Sequence, residues 1–248
     1  MANSKCYVSF KNKMSHFDAD LEYIDIIYND ILTNPLSDEA TELFPNSNSS
    51  KYEILSHYKI VPQNQLLVIR HLRATLYTAY IKDLYEEFTL YLKNMLKMIY
   101  NNAKISPERL TGEHKISMSS TEILTHLRQD DLADIVIDSI FQSLENERST
   151  ISLIEKFHSK IGIEKNANLI SQAIYYLEIR HKLVHTDGFA DNEFRTAHPD
   201  LTYTNFGYIT LNYTTIKAAK DSVTALIKDM DSKIMCKNLV PPNNTTSS

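Results

Sequence analysis

The amino-acid sequence predicts an all-α protein, and three observations lead to this fold class. Only 4 glycines occur among 248 residues, whereas chains built from many tight β-turns need more of them. Apolar residues recur at three- and four-residue steps through most of the chain, which is the period of an α-helix. Residues 63–106 contain neither glycine nor proline, so nothing interrupts a long helix there. We therefore expect a helical bundle with one short extended arm or hairpin.

The composition narrows the class of protein further. Hydrophobic residues make up 43% and charged residues 23% of the chain, as in ordinary globular proteins. The net charge of -5 argues against a large surface that binds nucleic acid independently of sequence. A local basic pocket is compatible with this net charge. No apolar run reaches the length of a membrane span, and no signal peptide is visible. Because Cys6 and Cys236 form neither a disulfide framework nor a metal spacing, we expect a cytoplasmic protein.

The N-terminal region predicts a helical extension over 1–63, followed by the main domain over 64–236. Its clearest helix covers 18–32, where apolar residues recur with helical spacing until Asn34-Pro35 ends it. The polar stretch 45–50 predicts a loop. The first dozen residues and the tail over 237–248 have few apolar anchors, and we expect both to be disordered.

The main domain begins with a predicted helix over 64–103. Its apolar stripe drifts slowly around the helix, as four-residue steps require, through Leu72, Leu76, Tyr80, Leu84, Phe88, Tyr91, Met95 and Ile99. Ser119 and Glu122 have the spacing of a capping box, which predicts the start of the next helix. Further helices are predicted over 130–146, 150–160 with Gly162 as its C-terminal cap, 168–185 and 215–235, with an extended arm over 207–213.

The helix over 168–185 carries a polar wedge in an apolar face. On a helical wheel with Leu169 at the origin, Arg180 lies at roughly 20°, near the middle of the apolar arc, and His181 and His185 lie at its margin. An unpaired buried charge costs about 3–5 kcal/mol, and a guanidinium cannot lose its proton. Arg180 therefore requires a carboxylate, a ligand phosphate or a water-filled cleft.

Two alternatives stay open at this point. Arg180 could pair with an acidic residue in the core, with the two histidines on the shoulder of the helix. His181 and His185 are four residues apart and could also bind a metal ion, with Asp187 or Asp191 as a third ligand. The sequence has no His-Glu-x-x-His pattern, because Lys182 stands where that glutamate would be.

The segment Arg180-His181-Lys182-Leu183-Val184-His185 resembles the motif of the HEPN superfamily. Members are helical bundles in which a late helix bears Arg, then Asn, Asp or His, then three residues and His. The order of the predicted elements over 64–235 is similar too: a long helix, shorter helices, the motif helix, an extended arm and a closing helix.

The resemblance implies a metal-independent endoribonuclease of the toxin–antitoxin or anti-phage defence kind, working without a cofactor. It implies Arg180, His181 and His185 as catalytic residues and a homodimer formed through the motif helix. RNA would be the substrate, and an antitoxin or regulatory protein a further partner. Lys182 and Arg195 are our candidates for contacts with the substrate phosphates. The alternative function is a catalytically silent HEPN-like module that binds RNA or protein.

Overall fold

The computed structural model describes residues 3–33, 62–129, 132–146 and 149–243. Within them the chain is mostly helical, which confirms the all-α prediction. The helices are α1 (Lys5–Ser15), α2 (Asp18–Thr33), α3 (Pro62–Asn101), α4 (Pro107–Thr111), α5 (Ser120–Gln129), α6 (Leu132–Glu145), α7 (Thr150–Ile161), α8 (Ala167–His185), α9 (Asn192–Ala197) and α10 (Tyr213–Cys236). A two-stranded antiparallel hairpin, β1 (Thr202–Tyr203) and β2 (Ile209–Thr210), lies between α9 and α10.

The predicted helices lie within a few residues of their observed bounds. The capping box is present at the start of α5, where Ser119 N–H donates to Glu122 Oε2 at 2.7 Å and Glu122 N–H donates to Ser119 Oγ at 3.2 Å. Gly162 ends α7 in the left-handed conformation, with φ of 70°. The predicted extended arm is the second strand of the hairpin. The predicted loop over 45–50 lies outside the described residues.

Helix α3 is the spine of the bundle. Its 40 residues span about 60 Å at 1.5 Å per residue, and α1, α2, α6, α8 and α10 all pack against it. The predicted stripe is buried from Tyr80 to Ile99, but Leu72 is 51% exposed. Near that end of α3, α2 covers a different side, which carries Arg73 and Tyr77, so Leu72 lies outside the contact.

A small polar cluster joins α2 to α3. Asp25 accepts a hydrogen bond from Tyr77 Oη at 3.1 Å and forms an ion pair with Arg73 at 3.4 Å. The Arg73 guanidinium lies 3.6 Å from the centroid of the Tyr28 ring, which adds a cation–π contact. These bonds satisfy the polar groups where the two helices meet.

The first dozen residues are ordered, and the prediction of disorder for them was wrong. They form α1, whose residues Tyr7, Phe10 and Met14 are buried in the core. Ser4 caps α1 and is also buried, where its backbone N–H donates to Asp231 Oδ2 of α10 at 3.0 Å and its hydroxyl donates to Asp231 Oδ1. Sequence periodicity is weak in so short a helix, and the long-range partner could not be read from it.

The start of the C-terminal tail also differs from the prediction of disorder over 237–248. Leu239 and Val240 are buried, and the Asn102 side chain donates to the carbonyl oxygen of Leu239 at 2.8 Å. Asn243 N–H donates to the carbonyl oxygen of Asn3 at 3.1 Å. Two apolar side chains are therefore enough to fold the chain back after α10, while residues 244–248 lie outside the described part.

In the described part of the chain, no helix combines the length and the apolar character needed to span a bilayer.

The burial of α1 generates a test of stability. Phe10 is 2% exposed, so Phe10→Ala leaves a cavity and should lower the free energy of unfolding by about 3–5 kcal/mol. The exposed Lys11 on the same helix provides the control, because Lys11→Ala should change it by less than about 0.5 kcal/mol. Urea denaturation followed by circular dichroism measures both. Equal stability of the two variants would show that α1 is not part of the cooperative core.

Candidate functional site

Helix α8 places the motif residues at the end of a well-buried helix. Its buried residues are Ile170, Ala173, Ile174, Leu177 and Ile179, and the helix packs against α3, α7 and α10. The centre of this buried face is rotated away from Leu169, which is only half-buried. Most of the buried positions are thus offset from the predicted centre of the arc, and Arg180 lies on the wheel between the fully buried Ala173 and Ile179.

The last turn of α8 is less covered than the wheel predicts. Val184 is 41% exposed, and His181 and His185 are exposed as well. The helix ends there because Gly188, with φ of 83°, turns the chain back and donates its N–H to the carbonyl oxygen of Lys182 at 2.9 Å. The two imidazoles thus lie at the exposed C-terminal end of a helix whose middle is buried in the core.

Arg180 lies on an aromatic ring instead of an acid. Its guanidinium carbon is 4.6 Å from the centroid of the Tyr85 ring, which belongs to α3. The Nε atom is buried and has no hydrogen-bond partner. Among the described residues, no carboxylate pairs with Arg180. The alternative in which a core acid neutralises Arg180 is therefore not supported in this part of the chain.

His181 and His185 form a close pair on the exposed side of α8. Their ring centroids are 4.5 Å apart, with 45° between the ring planes. Partial burial lowers the pKa of His181, and the neighbouring His185, Lys182 and Arg180 lower it further because they are cationic or can become so. His181 is thus biased toward the neutral imidazole, which can accept a proton.

Lys182 and Arg195, the two candidates for phosphate contacts, each have a side-chain partner within the chain. Lys182 Nζ lies 2.6 Å from Asp191 Oδ2, and Asp191 also caps α9 by accepting the Phe194 N–H at 2.8 Å. Lys182 thereby joins α9 to the motif helix, although its side chain still lines the pocket described below. Arg195 donates to Asn192 Oδ1 at 2.6 Å and is not among the residues that line that pocket.

The metal alternative finds no ligand set in the described residues. Asp191, one of the two candidates for a third ligand, is engaged by Lys182 and by the N-terminus of α9. No group of three or more His, Cys, Asp or Glu side chains is arranged to hold a metal ion within the ranges that the structure covers.

A pocket of about 440 Å³ brings the motif residues together with residues of four other helices. Its size falls within the range of small-ligand sites. The pocket is open to solvent, and the exposed residues in its lining include His181, His185, Glu145 and Glu178. The lining consists of Tyr85 from α3, Glu145 at the end of α6, Ser149, Thr150 and Leu153 at the start of α7, Glu178, Arg180, His181, Lys182 and His185 from α8, and Phe194 from α9.

The arrangement suits an anion next to a proton-transfer group. Arg180 brings a permanent positive charge whose amino groups make no hydrogen bond to any described residue, and the stacked ring limits its movement. A guanidinium held in this way can bind two oxygens of a phosphate at once. The histidines beside it can take up and return a proton near neutral pH.

Sequence reasoning found Arg180, His181 and His185 but missed the residues that face them. Tyr85, Glu145 and Thr150 were not singled out, and Glu178 was not considered as part of a site. A signal existed for Tyr85, since an arginine on a half-buried face needs an aromatic or acidic neighbour. Nothing in the sequence says that the neighbour lies 95 residues earlier, on α3.

Comparison of the chain with known protein-family models, with characterised proteins and with solved structures gave no match.

The histidine pair generates a prediction about protonation. Replacing His185 with alanine should raise the pKa of His181, because a neighbouring imidazole that can become charged is removed. The pKa should stay below that of a free histidine, since burial is the largest cause of the shift. An NMR titration of the ring protons measures it. His158, whose pKa is lowered by its own burial elsewhere, should titrate unchanged and serves as the internal control. An unchanged pKa of His181 would contradict the pairing.

Proposed function

We propose that this protein is a metal-independent endoribonuclease and that Arg180, His181 and His185 perform the cleavage. The observation that supports the proposal is the Arg180 guanidinium, which is stacked on Tyr85, has no acidic partner among the described residues and lines a solvent-open pocket with two histidines. A cation in this position is available to bind an anionic ligand that enters the pocket. The resemblance of Arg180–His185 to the HEPN motif points to RNA as that ligand.

The proposed chemistry uses the nucleophile that RNA itself carries. His185 takes the proton from the 2′-hydroxyl, whose oxygen then attacks the neighbouring phosphorus. Arg180 binds the non-bridging oxygens and stabilises the negative charge that develops on them. A protonated histidine of the pair returns a proton to the departing 5′-oxygen. The products are a 2′,3′-cyclic phosphate and a free 5′-hydroxyl, so atoms and charges balance without a metal ion.

We propose that the protein acts as a homodimer through the end of the motif helix. Around that end, four apolar side chains are exposed: Val184 at 41%, Phe189 at 43%, Tyr208 at 44% and Phe206 at 83%. Exposed apolar groups that lie together mark interaction surfaces. Pairing here would bring two copies of α8 close to each other while leaving the histidines accessible from the pocket side.

The biological setting rests on the resemblance alone. A toxin–antitoxin or phage-defence role, a cytoplasmic location, and an antitoxin or regulatory partner stay predictions. The same exposed apolar group also favours the second candidate, a non-catalytic module that binds RNA or protein. Binding of RNA without cleavage of any RNA would decide for that candidate.

The first test is cleavage by the purified protein in EDTA. Wild type should cut single-stranded RNA and leave 2′,3′-cyclic phosphate ends, which mass spectrometry identifies. Arg180→Ala and His185→Ala should each lower kcat/KM by about 100-fold or more, because they remove charge stabilisation and proton transfer. Cleavage retained by both variants would refute the assignment of these residues.

Matched controls come from neighbouring residues of the same types on α3. Arg70 and His71 are exposed and do not line the pocket. Arg70→Ala and His71→Ala should therefore cleave like wild type. Thermal melting of all four variants shows whether a loss of activity reflects unfolding.

Tyr85 generates a second test at the same site. Tyr85→Leu removes the ring beneath Arg180 and should lower kcat/KM by about tenfold, in line with a partly buried cation–π contact. Tyr85→Phe keeps the ring and should retain most of the activity. Tyr100→Leu alters another half-buried tyrosine of α3 that lies outside this pocket, and it should have little effect. Equal activity of the Leu and Phe variants would show that the ring does not position Arg180.

A further inference from the structure

The wall of the pocket opposite the motif helix carries an acidic side chain that the cleavage chemistry does not use. Glu145, at the end of α6, lines the same pocket as Arg180 and His185. Its carboxylate is exposed and forms no ion pair or hydrogen bond with any other described residue. A carboxylate beside a phosphate site repels the substrate unless it meets hydrogen-bond donors.

The second carboxylate of the pocket is balanced in a different way. Glu178 Oε2 lies 3.6 Å from Nε2 of His198, a buried histidine that is sandwiched between the Phe194 ring at 4.0 Å and the Tyr175 ring at 4.4 Å. Glu178 thus has a polar neighbour within the described residues. Glu145, by contrast, has no such neighbour within the part of the chain that the structure describes.

The surroundings of Glu145 fit a flat ring with polar edges. Leu153 is buried at the base of the pocket, and Thr150 contributes a hydroxyl group that makes no hydrogen bond to another described residue. The volume of about 440 Å³ is in the range that accommodates a small ligand, larger than a phosphate group alone. A nucleobase attached to that phosphate would occupy this side.

The chemistry of the four bases identifies which one a carboxylate selects. Guanine presents two adjacent N–H groups, N1–H and the 2-amino group, which match the two oxygens of a carboxylate that can only accept. Adenine and cytosine present an amino group next to a ring nitrogen that is itself an acceptor. Uracil presents one N–H between two carbonyl groups. An acceptor next to a carboxylate is repelled, so three of the four bases fit poorly.

We propose that Glu145 makes this pocket selective for a guanine base adjacent to the cleaved phosphate. Glu145 accepts N1–H and the 2-amino group, and Thr150 is placed to donate to the carbonyl oxygen of the base. The proposal rests on the proposed function, since it assumes that Arg180 binds the phosphate of the same nucleotide. It makes the substrate a single-stranded RNA whose guanines are unpaired, because the base edge that Glu145 reads is occupied in a duplex.

Binding of mononucleotides tests the proposal without requiring cleavage. Isothermal titration should show that GMP binds at least about tenfold tighter than IMP, which lacks only the 2-amino group, because a lost hydrogen bond to a charged group has that effect. AMP, CMP and UMP should bind no better than IMP. Glu145→Gln should lower the affinity for GMP by about tenfold and should lower the affinity for IMP by less. Equal affinities for GMP and IMP, or no saturable binding of any of the five nucleotides at millimolar concentration, would overturn base selection.

Two further variants separate the base side from the phosphate side. Arg180→Ala should lower the affinity for all five nucleotides by a similar factor, because each of them carries the phosphate group. Glu193→Gln alters an exposed glutamate of α9 that does not line the pocket and should leave the ratio of GMP to IMP affinity unchanged. A loss of that ratio in Glu193→Gln as well would show that overall charge, and not Glu145, is responsible.

Cleavage of RNA then distinguishes this proposal from the proposed function. An otherwise uniform single-stranded RNA with one guanosine should be cut next to it, and replacing that guanosine with inosine should slow the cut by about tenfold. If RNA is cut equally at all four bases, guanine selection is refuted, whereas the proposed ribonuclease activity is not. If GMP binds selectively but no RNA is cleaved, the proposed ribonuclease activity is refuted, whereas the guanine-binding site is not.

Discussion

The Arg180 guanidinium carries a charge that it cannot lose, and the fold holds it half-buried on the Tyr85 ring without an acidic partner among the described residues. An aromatic face attracts a cation but does not neutralise it. The charge is therefore held in place and directed toward solvent at the same time. This positive charge determines which ligands the pocket can accept, and the other lining residues act on a ligand that Arg180 has bound.

Helix α3 makes this arrangement possible because it serves the core and the pocket together. Leu84 and Phe88 face inward and are buried, whereas Tyr85, between them in sequence, reaches the pocket wall. A helix turns about 100° per residue, so the ring cannot move unless the core residues beside it move as well. The packing of the spine therefore fixes the ring beneath Arg180, and the ring in turn limits the positions of the guanidinium.

Local patterns were predicted well from the sequence, and contacts between distant segments were not. The capping box at Ser119 and the left-handed cap at Gly162 depend on a few neighbouring residues, so their sequence signals were sufficient. The wheel located the motif residues but misjudged the centre of the buried face, because that centre depends on which helices pack against α8.

Lys182 and α1 are two further cases in which the local sequence did not reveal a contact with a distant segment. Lys182 carries the charge expected of a phosphate contact, but Asp191 in the next helix pairs with it. The burial of α1 depends on Asp231 in the last helix, 227 residues from Ser4. No periodicity within either segment reveals such a partner, because the information lies in how the segments are arranged in space.

The contact between Ser4 and Asp231 also bears on the order in which the molecule assembles. Helix α10 supplies Asp231 and covers the inner face of α8, yet it is the last helix of the described chain to emerge during synthesis. Contacts between segments so far apart in sequence form late in folding, after local helices have appeared. The motif helix can thus form early on the ribosome, but it acquires its final position only when α10 docks. The pocket therefore reaches its final form only after α10 has been synthesised and has docked.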